Sequence, residues 1–165
     1  MRGGGVDGNA KIVSDGNPPL LKIDGDVQKM GLDCSHDAWH GAYSAFMHWR
    51  EAVAYAAGLP PLRLMEGFGN HYLTPRPWEQ FLAQLPIKWE CLKPDPLHIL
   101  LRHSDCDGEI APEDCTAIAD RLDALIPVMP DEDGGGHIGN WREKTAQFVR
   151  GLRKAAAEGV PLAFH

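Results

Sequence analysis

The sequence predicts a mainly helical α+β fold in a single domain, with four to five helices and a minor β element. Three observations carry this prediction. At 165 residues the chain has the usual length of one domain. Apolar residues recur at three- and four-residue steps in several segments, as they do on amphipathic helices. Hydrophobic residues make up 44% and charged residues 24% of the chain, which is ordinary usage for a globular protein.

The beginning of the chain differs in composition from the rest. Residues 1–19 are rich in Gly, Asn, Asp and Pro, and they hold too little apolar surface to offset the entropy of ordering them. We therefore expect a flexible N-terminal arm over residues 1–19 and a single globular domain over residues 20–165. The segment LLKIDGD, residues 20–26, then predicts a short strand and turn.

A helical stripe begins at Trp39 and predicts the first helix. Gly58 ends this helix, since glycine suits the left-handed cap, and Pro60 cannot continue the hydrogen-bond ladder. The following proline-rich stretch predicts an irregular connection broken by one short helix, PWEQFLAQL, at residues 77–85. The stripe consists of Trp39, Ala42, Tyr43, Phe46, Trp49, Val53 and Ala56.

The second half of the chain contains three further elements. Asp95 and Pro96 suit the start of a helix over residues 97–102, but the apolar run at residues 99–101 fits a buried strand equally well. Pro112 opens a clearer helix. The last helix begins near the N-cap Asn140 and stops at Gly159. The expected inner faces of these two helices are Cys115, Ile118, Ala119, Leu122 and Leu125, and Trp141, Phe148, Val149, Leu152 and Ala156.

The strongest functional signal is the acidic run HSDCDG, which starts at His103. With Gly108 at the sixth position of a twelve-residue calcium loop, Asp105, Asp107 and Asp114 fall at positions three, five and twelve. A hard cation takes several oxygen ligands, and the glycine permits a sharp turn. The segment therefore resembles half an EF-hand, with His103 at position one and Asp114 in place of the longer Glu.

The same run is similar to the first metal motif of the DHH phosphoesterases, His-x-Asp-x-Asp-Gly after an apolar strand. The likeness covers about ten residues, and the chain lacks an Asp-His-His sequence. It implies a metal-bound hydroxide held by imidazole and carboxylates. The predicted metal ligands are His103, Asp105, Asp107 and Asp114, around one divalent cation (Ca, Mg, Mn or Zn) and with no organic cofactor.

An acidic turn explains the same residues without any ligand. Asp105 and Asp107 can hydrogen-bond their own loop backbone, Gly108 can supply the turn, and Glu113 with Asp114 favours a helix N-terminus. The sequence leaves both interpretations open.

SHDAWH is a second, shorter motif. His36 and His40 stand four residues apart, as in H-E-x-x-H zinc sites with Asp in place of Glu. No third ligand is identifiable, so a solvated helix entry is the simpler interpretation.

Charge and cysteine usage exclude several classes of function. The net charge is −7 and no Lys/Arg cluster is visible, which argues against nucleic-acid binding and favours a basic protein partner. No apolar stretch is long enough to cross a bilayer, and the start has no signal-peptide core, so we expect a cytoplasmic protein with no membrane contact. The four cysteines form no C-x-x-C pair, which argues against a zinc ribbon or a thioredoxin-type redox centre.

Four segments together resemble one protein family: GLDCSHDAWHGAYSAFMHWREAVA, MEGFG, DPLHILLRHSDCDGEIAPEDC and GLRKAAAEGVPLAFH. This is a family of small bacterial and phage-encoded proteins without an established activity, and HSDCDGE is its most specific run. The resemblance covers roughly residues 31–165 and implies a shared fold and a shared acidic loop.

Two functions follow as expectations. The first is a non-enzymatic binding or regulatory protein, phage-related, whose acidic surface contacts a basic partner. The second is a small metal-dependent hydrolase, phosphoesterase-like, built on the His-x-Asp-x-Asp loop. The sequence does not decide whether the protein is an enzyme.

Overall fold

The computed structural model describes residues 31–68, 86–135 and 138–165. The expected N-terminal arm, the strand at residues 20–26 and the short helix at residues 77–85 lie outside these ranges. Within them the fold is mainly helical α+β, as predicted. In chain order the strands and α-helices are β1 (Leu32–Cys34), β2 (Trp39–Gly41), α1 (Tyr43–Ala56), α2 (Leu97–Arg102), β3 (Glu109–Ile110), α3 (Pro112–Leu125), α4 (Trp141–Glu158) and β4 (Leu162–Ala163).

The strands form two antiparallel pairs joined by the end of the chain. In the hairpin of β1 and β2, Cys34 lies opposite Trp39. In the second pair, Ile110 of β3 lies opposite Leu162 of β4. An antiparallel bridge between Cys34 and Phe164 connects the two pairs. The C-terminal strand region therefore lies between the hairpin and β3.

The first helix begins later than its apolar stripe predicts. Trp39 belongs to strand β2, and α1 starts only at Tyr43. The reason is the hairpin, whose backbone pairing takes up residues 39–41 before the helix can start. Trp39 is still buried, and its ring packs edge-on against Phe46 at 5.1 Å between centroids. The end of the helix is as predicted, with Gly58 in the left-handed conformation at φ 69°.

The caps of the later helices are confirmed. The Asn140 side chain accepts hydrogen bonds from the Arg142 and Glu143 N–H groups, and Gly159 ends α4 in the left-handed conformation. Residues 97–102 are helical, and the Asp95 carboxylate accepts the Leu97 N–H at 3.0 Å.

One continuous core lies between α1, α3 and α4. The expected inner face of α3 is fully buried, and that of α4 is buried except for the partly exposed Ala156. In the predicted stripe of the first helix, Tyr43 and Ala56 are partly exposed and Ala42 is exposed. An aromatic cluster closes the core against the hairpin and the C-terminal residues; it comprises Trp39, Phe46, Trp49, Phe148 and Phe164.

Candidate functional site

The acidic segment, residues 103–114, joins α2 to α3 and is fixed by one residue of the chain's end. The His103 imidazole stacks on the Phe164 ring with centroids 4.1 Å apart. The Phe164 N–H also donates to the Gly108 carbonyl at 2.9 Å. The His103 Nδ1 lies 2.7 Å from the Ser104 carbonyl oxygen, so this nitrogen carries the proton and donates. Phe164 thus holds both ends of the HSDCDG turn.

Gly108 makes the turn possible. Its φ of 95° lies in the region that glycine adopts without a steric cost. A Cβ at this position would lie 3.3 Å from His103 Cε1, so a side chain would also press against the stacked imidazole. The sequence interpretation of Gly108 as the turn residue is confirmed.

A buried arginine fixes the point where the chain leaves α2. Arg50 is 1% exposed, and its Nη1 donates to the His103 carbonyl at 2.6 Å and to the Leu101 carbonyl at 3.4 Å. Its guanidinium also lies 4.8 Å from the centre of the Phe46 ring. A cation at a helix C-terminus satisfies the last carbonyls and interacts favourably with the helix dipole. The buried Arg50 side chain therefore fixes the backbone position at which the acidic segment begins.

The carboxylates of the acidic segment point to no positive partner. Among the described residues no Lys, Arg or His forms an ion pair with any of them. Acidic side chains elsewhere do form such pairs, for example Asp95 with Arg121 at 3.0 Å. The five carboxylates belong to Asp105, Asp107, Glu109, Glu113 and Asp114, and Asp107, Glu109 and Glu113 are exposed.

The structure does not gather the predicted metal ligands. No group of three or more His, Cys, Asp or Glu side chains suited to a metal ion occurs in the described part of the chain, which includes His103, Asp105, Asp107 and Asp114. The imidazole of His103 is instead committed to Phe164. The cation site therefore stays a prediction.

The strand context of the phosphoesterase motif is wrong. Residues 97–102 form helix α2, because Asp95 caps its start and the Leu97, Leu100 and Leu101 side chains are buried on one helical face. Cys106, which lies within the motif, is exposed, and its Sγ lies 3.9 Å from Asp107 Oδ1.

Both interpretations of SHDAWH that place it on a helix, the zinc motif and the solvated helix entry, are wrong, because its first residues form a hairpin turn and Trp39 and His40 belong to strand β2. His36 and Asp37 have φ values of 60° and 55° and form the tight turn between β1 and β2. The two imidazoles have different partners. His40 Nδ1 lies 2.7 Å from Asp33 Oδ1, and His36 Nε2 lies 2.9 Å from Glu158 Oε2.

Sequence reasoning missed one polar arrangement at this turn. Ser35 Oγ lies 2.9 Å from His36 Nδ1, and the other ring nitrogen contacts Glu158. The Ala163 N–H donates to the same hydroxyl at 2.9 Å. No spacing signal could have revealed the group, because Glu158 and Ala163 are far from the turn in sequence.

Two of the thiols are inert by burial. Burial raises the pKa of Cys34 to about 12, with a smaller contribution from the Asp33 charge, and burial also raises the pKa of Cys115. Neither thiol is suited to act as a nucleophile, because the reactive species is the thiolate.

The described surface includes two open grooves of about 370 Å³ each, and no residue of the acidic segment lines either of them. One follows α4 and includes Lys144, Gln147 and Arg150. The other lies at the start of α1 and includes Ser44 and His48. Neither includes a predicted metal ligand.

No protein-family model, curated protein or solved structure matches the chain. The resemblance to bacterial and phage-encoded proteins therefore stays a prediction. Within the described ranges, no helix has the length and apolarity that crossing a bilayer requires.

Proposed function

We propose that this is a binding or regulatory protein whose acidic segment contacts a basic protein partner, without a catalytic step at that segment. The observation that carries the proposal is the set of five carboxylates that have no ion-pair partner among the described residues. The negative electrostatic potential of these carboxylates attracts a positively charged surface and speeds the association of such a partner with this protein.

The way the segment is held favours the same role. Arg50 fixes its start, and Phe164 fixes the HSDCDG turn from the opposite side. A partner that binds a preorganised loop does not have to offset the entropy of ordering it. The carboxylates are therefore presented on a backbone that is already set.

A labelled oligolysine peptide is the probe for this proposal, with binding followed by fluorescence anisotropy at several salt concentrations. The test variant is Asp107→Asn/Glu109→Gln/Glu113→Gln. The matched control is Glu90→Gln/Asp120→Asn/Asp123→Asn, which removes the same number of charges from other exposed positions.

Three exposed contacts of about 0.5 kcal/mol each predict roughly tenfold weaker binding for the test variant and a smaller loss for the control. Binding should weaken as salt rises, since exposed charges are screened. Equal losses in the two variants would show that only net charge matters, and no binding by the wild type would refute the proposal.

The divalent cation and the metal-dependent hydrolase remain predictions about the same segment, and no observation in the described residues favours them over partner contact. Thermal melts with added Ca, Mg, Mn or Zn test the cation directly. A bound ion would raise the melting temperature of the wild type and leave Asp105→Ala/Asp107→Ala unchanged, because only a ligand that binds the native state stabilises it.

A further inference from the structure

The turn between β1 and β2 has both of its central residues in the left-handed region, which most residues with a side chain avoid. Ala38 N–H donates to the Ser35 carbonyl at 3.2 Å, and His36 and Asp37 between them both have positive φ. This is a two-residue hairpin turn of the kind that Asn-Gly usually forms. A left-handed conformation is sterically unfavourable for residues with a side chain, although Asp and His adopt it more often than most. Strained residues of this kind persist where the surroundings hold them, and they cluster at functional sites.

The surroundings do hold this turn. The Gln147 side-chain N–H donates to the Asp37 carbonyl at 2.8 Å. Gly151 of α4 leaves room for Ala38, since a Cβ at Gly151 would lie 2.7 Å from the Ala38 Cα. Helix α4 thus presses the turn into place from one side, while Ala163 contacts Ser35 from the other.

The polar contacts define the proton positions. The Glu158 carboxylate can only accept from His36 Nε2 when ionised, so Nε2 carries the proton in the neutral ring. Nδ1 is then the acceptor, and the Ser35 hydroxyl 2.9 Å away donates to it. The His36 side chain is 14% exposed, so most of this imidazole is shielded from water. A nucleophile, a base and a group that orients the base are therefore in hydrogen-bond contact.

We propose that Ser35 is the nucleophile and His36 the general base of a weak acyl-ester hydrolase site at the turn, distinct from the acidic segment. Glu158 is a positioning residue that fixes the ring and its tautomer. The ring nitrogens have the reverse assignment of the usual serine-protease triad. Either nitrogen can act as the base once the other one carries the proton.

The reaction is balanced within these groups and water. The Ser35 Oγ bonds to the ester carbonyl carbon while its proton moves to His36 Nδ1. The bond from that carbon to the leaving oxygen then breaks, and the leaving alcohol takes the proton from Nδ1. Water, deprotonated by His36, attacks the acyl-serine, and the Ser35 oxygen leaves with the proton. The Ala163 N–H donates to Oγ and so holds the hydroxyl in position beside the His36 ring.

The surface shape sets the substrate class. Ser35 is partly exposed, and it does not line either of the two grooves described above. Small or extended acyl esters can reach Ser35 from solvent. A site that encloses its substrate would need a surrounding pocket. We expect slow turnover of small activated esters such as p-nitrophenyl acetate.

The first experiment labels the wild-type chain with an alkyl fluorophosphonate and locates the adduct by peptide mass spectrometry. Attack by Ser35 forms an Oγ–P bond and releases fluoride, so only an activated serine reacts quickly. The exposed Ser44 and Ser104 serve as internal controls. An adduct at Ser35 that forms on the folded chain and does not form when the chain is denatured before labelling supports the proposal. No adduct, or equal labelling of Ser44 and Ser104, overturns it.

The second experiment measures hydrolysis of p-nitrophenyl acetate. Ser35→Ala should reduce hydrolysis to the background rate of the solvent, and a general base contributes about 10²–10⁴-fold, so His36→Asn should lose at least hundredfold. Asn tolerates the left-handed conformation, which keeps the turn intact. If one of these variants failed to fold, the labelling experiment would still test the proposal, because it uses only the wild-type chain.

Glu158→Gln separates positioning from a purely structural role. Its side chain is 61% exposed, so we expect only about a tenfold fall in kcat with KM unchanged. Glu158→Asp keeps a carboxylate and should lower kcat by less than Glu158→Gln does. Glu143→Gln, on the same helix, should have the kcat and KM of the wild type. A rise in KM alone, or equal effects of Glu158→Gln and Glu143→Gln, would contradict the assigned role.

Discussion

Replacing Gly151 by Ala tests how the hairpin is seated on α4. A Cβ at Gly151 would lie 2.7 Å from the Ala38 Cα, 3.1 Å from its nitrogen, and closer still to its Cβ. Both residues are buried, so neither can turn toward solvent. The added methyl group must therefore push the hairpin backbone away from the helix.

Two effects of opposite sign decide the outcome. In a helix interior, Ala is more favourable than Gly by about 1 kcal/mol. Overpacking of a close-packed contact costs about 1–3 kcal/mol, and the upper part of that range applies because the atoms in the way belong to the backbone. We expect a net loss of about 1–2 kcal/mol in the free energy of unfolding, or roughly 2–8 °C in Tm.

Urea denaturation followed by tryptophan fluorescence measures this free energy. Ala157→Gly, at an exposed position of the same helix, calibrates the propensity effect and should cost about 1 kcal/mol. Adding Ala38→Gly to Gly151→Ala removes the nearest contact and should recover part of the loss beyond its own cost. If Gly151→Ala stabilised the protein by about 1 kcal/mol, the close approach of hairpin and helix would be refuted.

Three other changes have definite expected signs. Arg50→Ala leaves carbonyls at the end of α2, including that of His103, without their donor, and should cost about 1–3 kcal/mol per carbonyl in a urea titration. Asp37→Gly should raise the free energy of unfolding by about 1 kcal/mol, because glycine adopts the positive φ of this position without a steric cost. The pKa of Cys34 is raised from 9.0 to about 12 on folding, so its contribution to stability is complete below pH 9 and is lost as the pH rises toward 12. Alkaline denaturation should show this slope and Cys34→Ala should reduce it, while iodoacetamide should modify the two exposed cysteines before Cys34 and Cys115.

Local signals predicted the helices well because their chemistry is local. An Asn side chain at position 140 meets the first N–H groups of its own helix, and Gly159 adopts the left-handed cap at its end. Pro112 needs no partner for its missing N–H at the start of α3. These features depend on neighbours within one helical turn, and the sequence shows those neighbours directly.

The hairpin could not be predicted for the opposite reason. Trp39 and Phe46 continue a helical stripe, but strand pairing with Cys34 overrides that periodicity, and Trp39 reaches the same core from a strand. His36 and Asp37 lack the Asn-Gly signal of a two-residue turn. Their conformation depends on α4, which lies more than a hundred residues further along the chain.

The candidate sites show the same division between local and distant causes. Gly108 correctly predicted a turn in the acidic run, but the spacing of His103, Asp105 and Asp107 could not show that the imidazole stacks on Phe164. Ligand spacing describes which side chains can converge. Whether they do depends on competing partners, which here come from the end of the chain.

The C-terminal strand region ties the two proposed sites to one another. Ala163 donates to the Ser35 hydroxyl, while Phe164, the next residue, holds His103 and Gly108 of the acidic segment. A change in this strand would disturb both sites at once, so it cannot assign a function to either. Variants that neutralise Asp107, Glu109 and Glu113 leave the strand contacts of the backbone in place, as do changes at Glu158. Loss of peptide binding from the first set and loss of ester hydrolysis from the second would therefore be independent results, because each set changes side chains of one proposed site and none of the other.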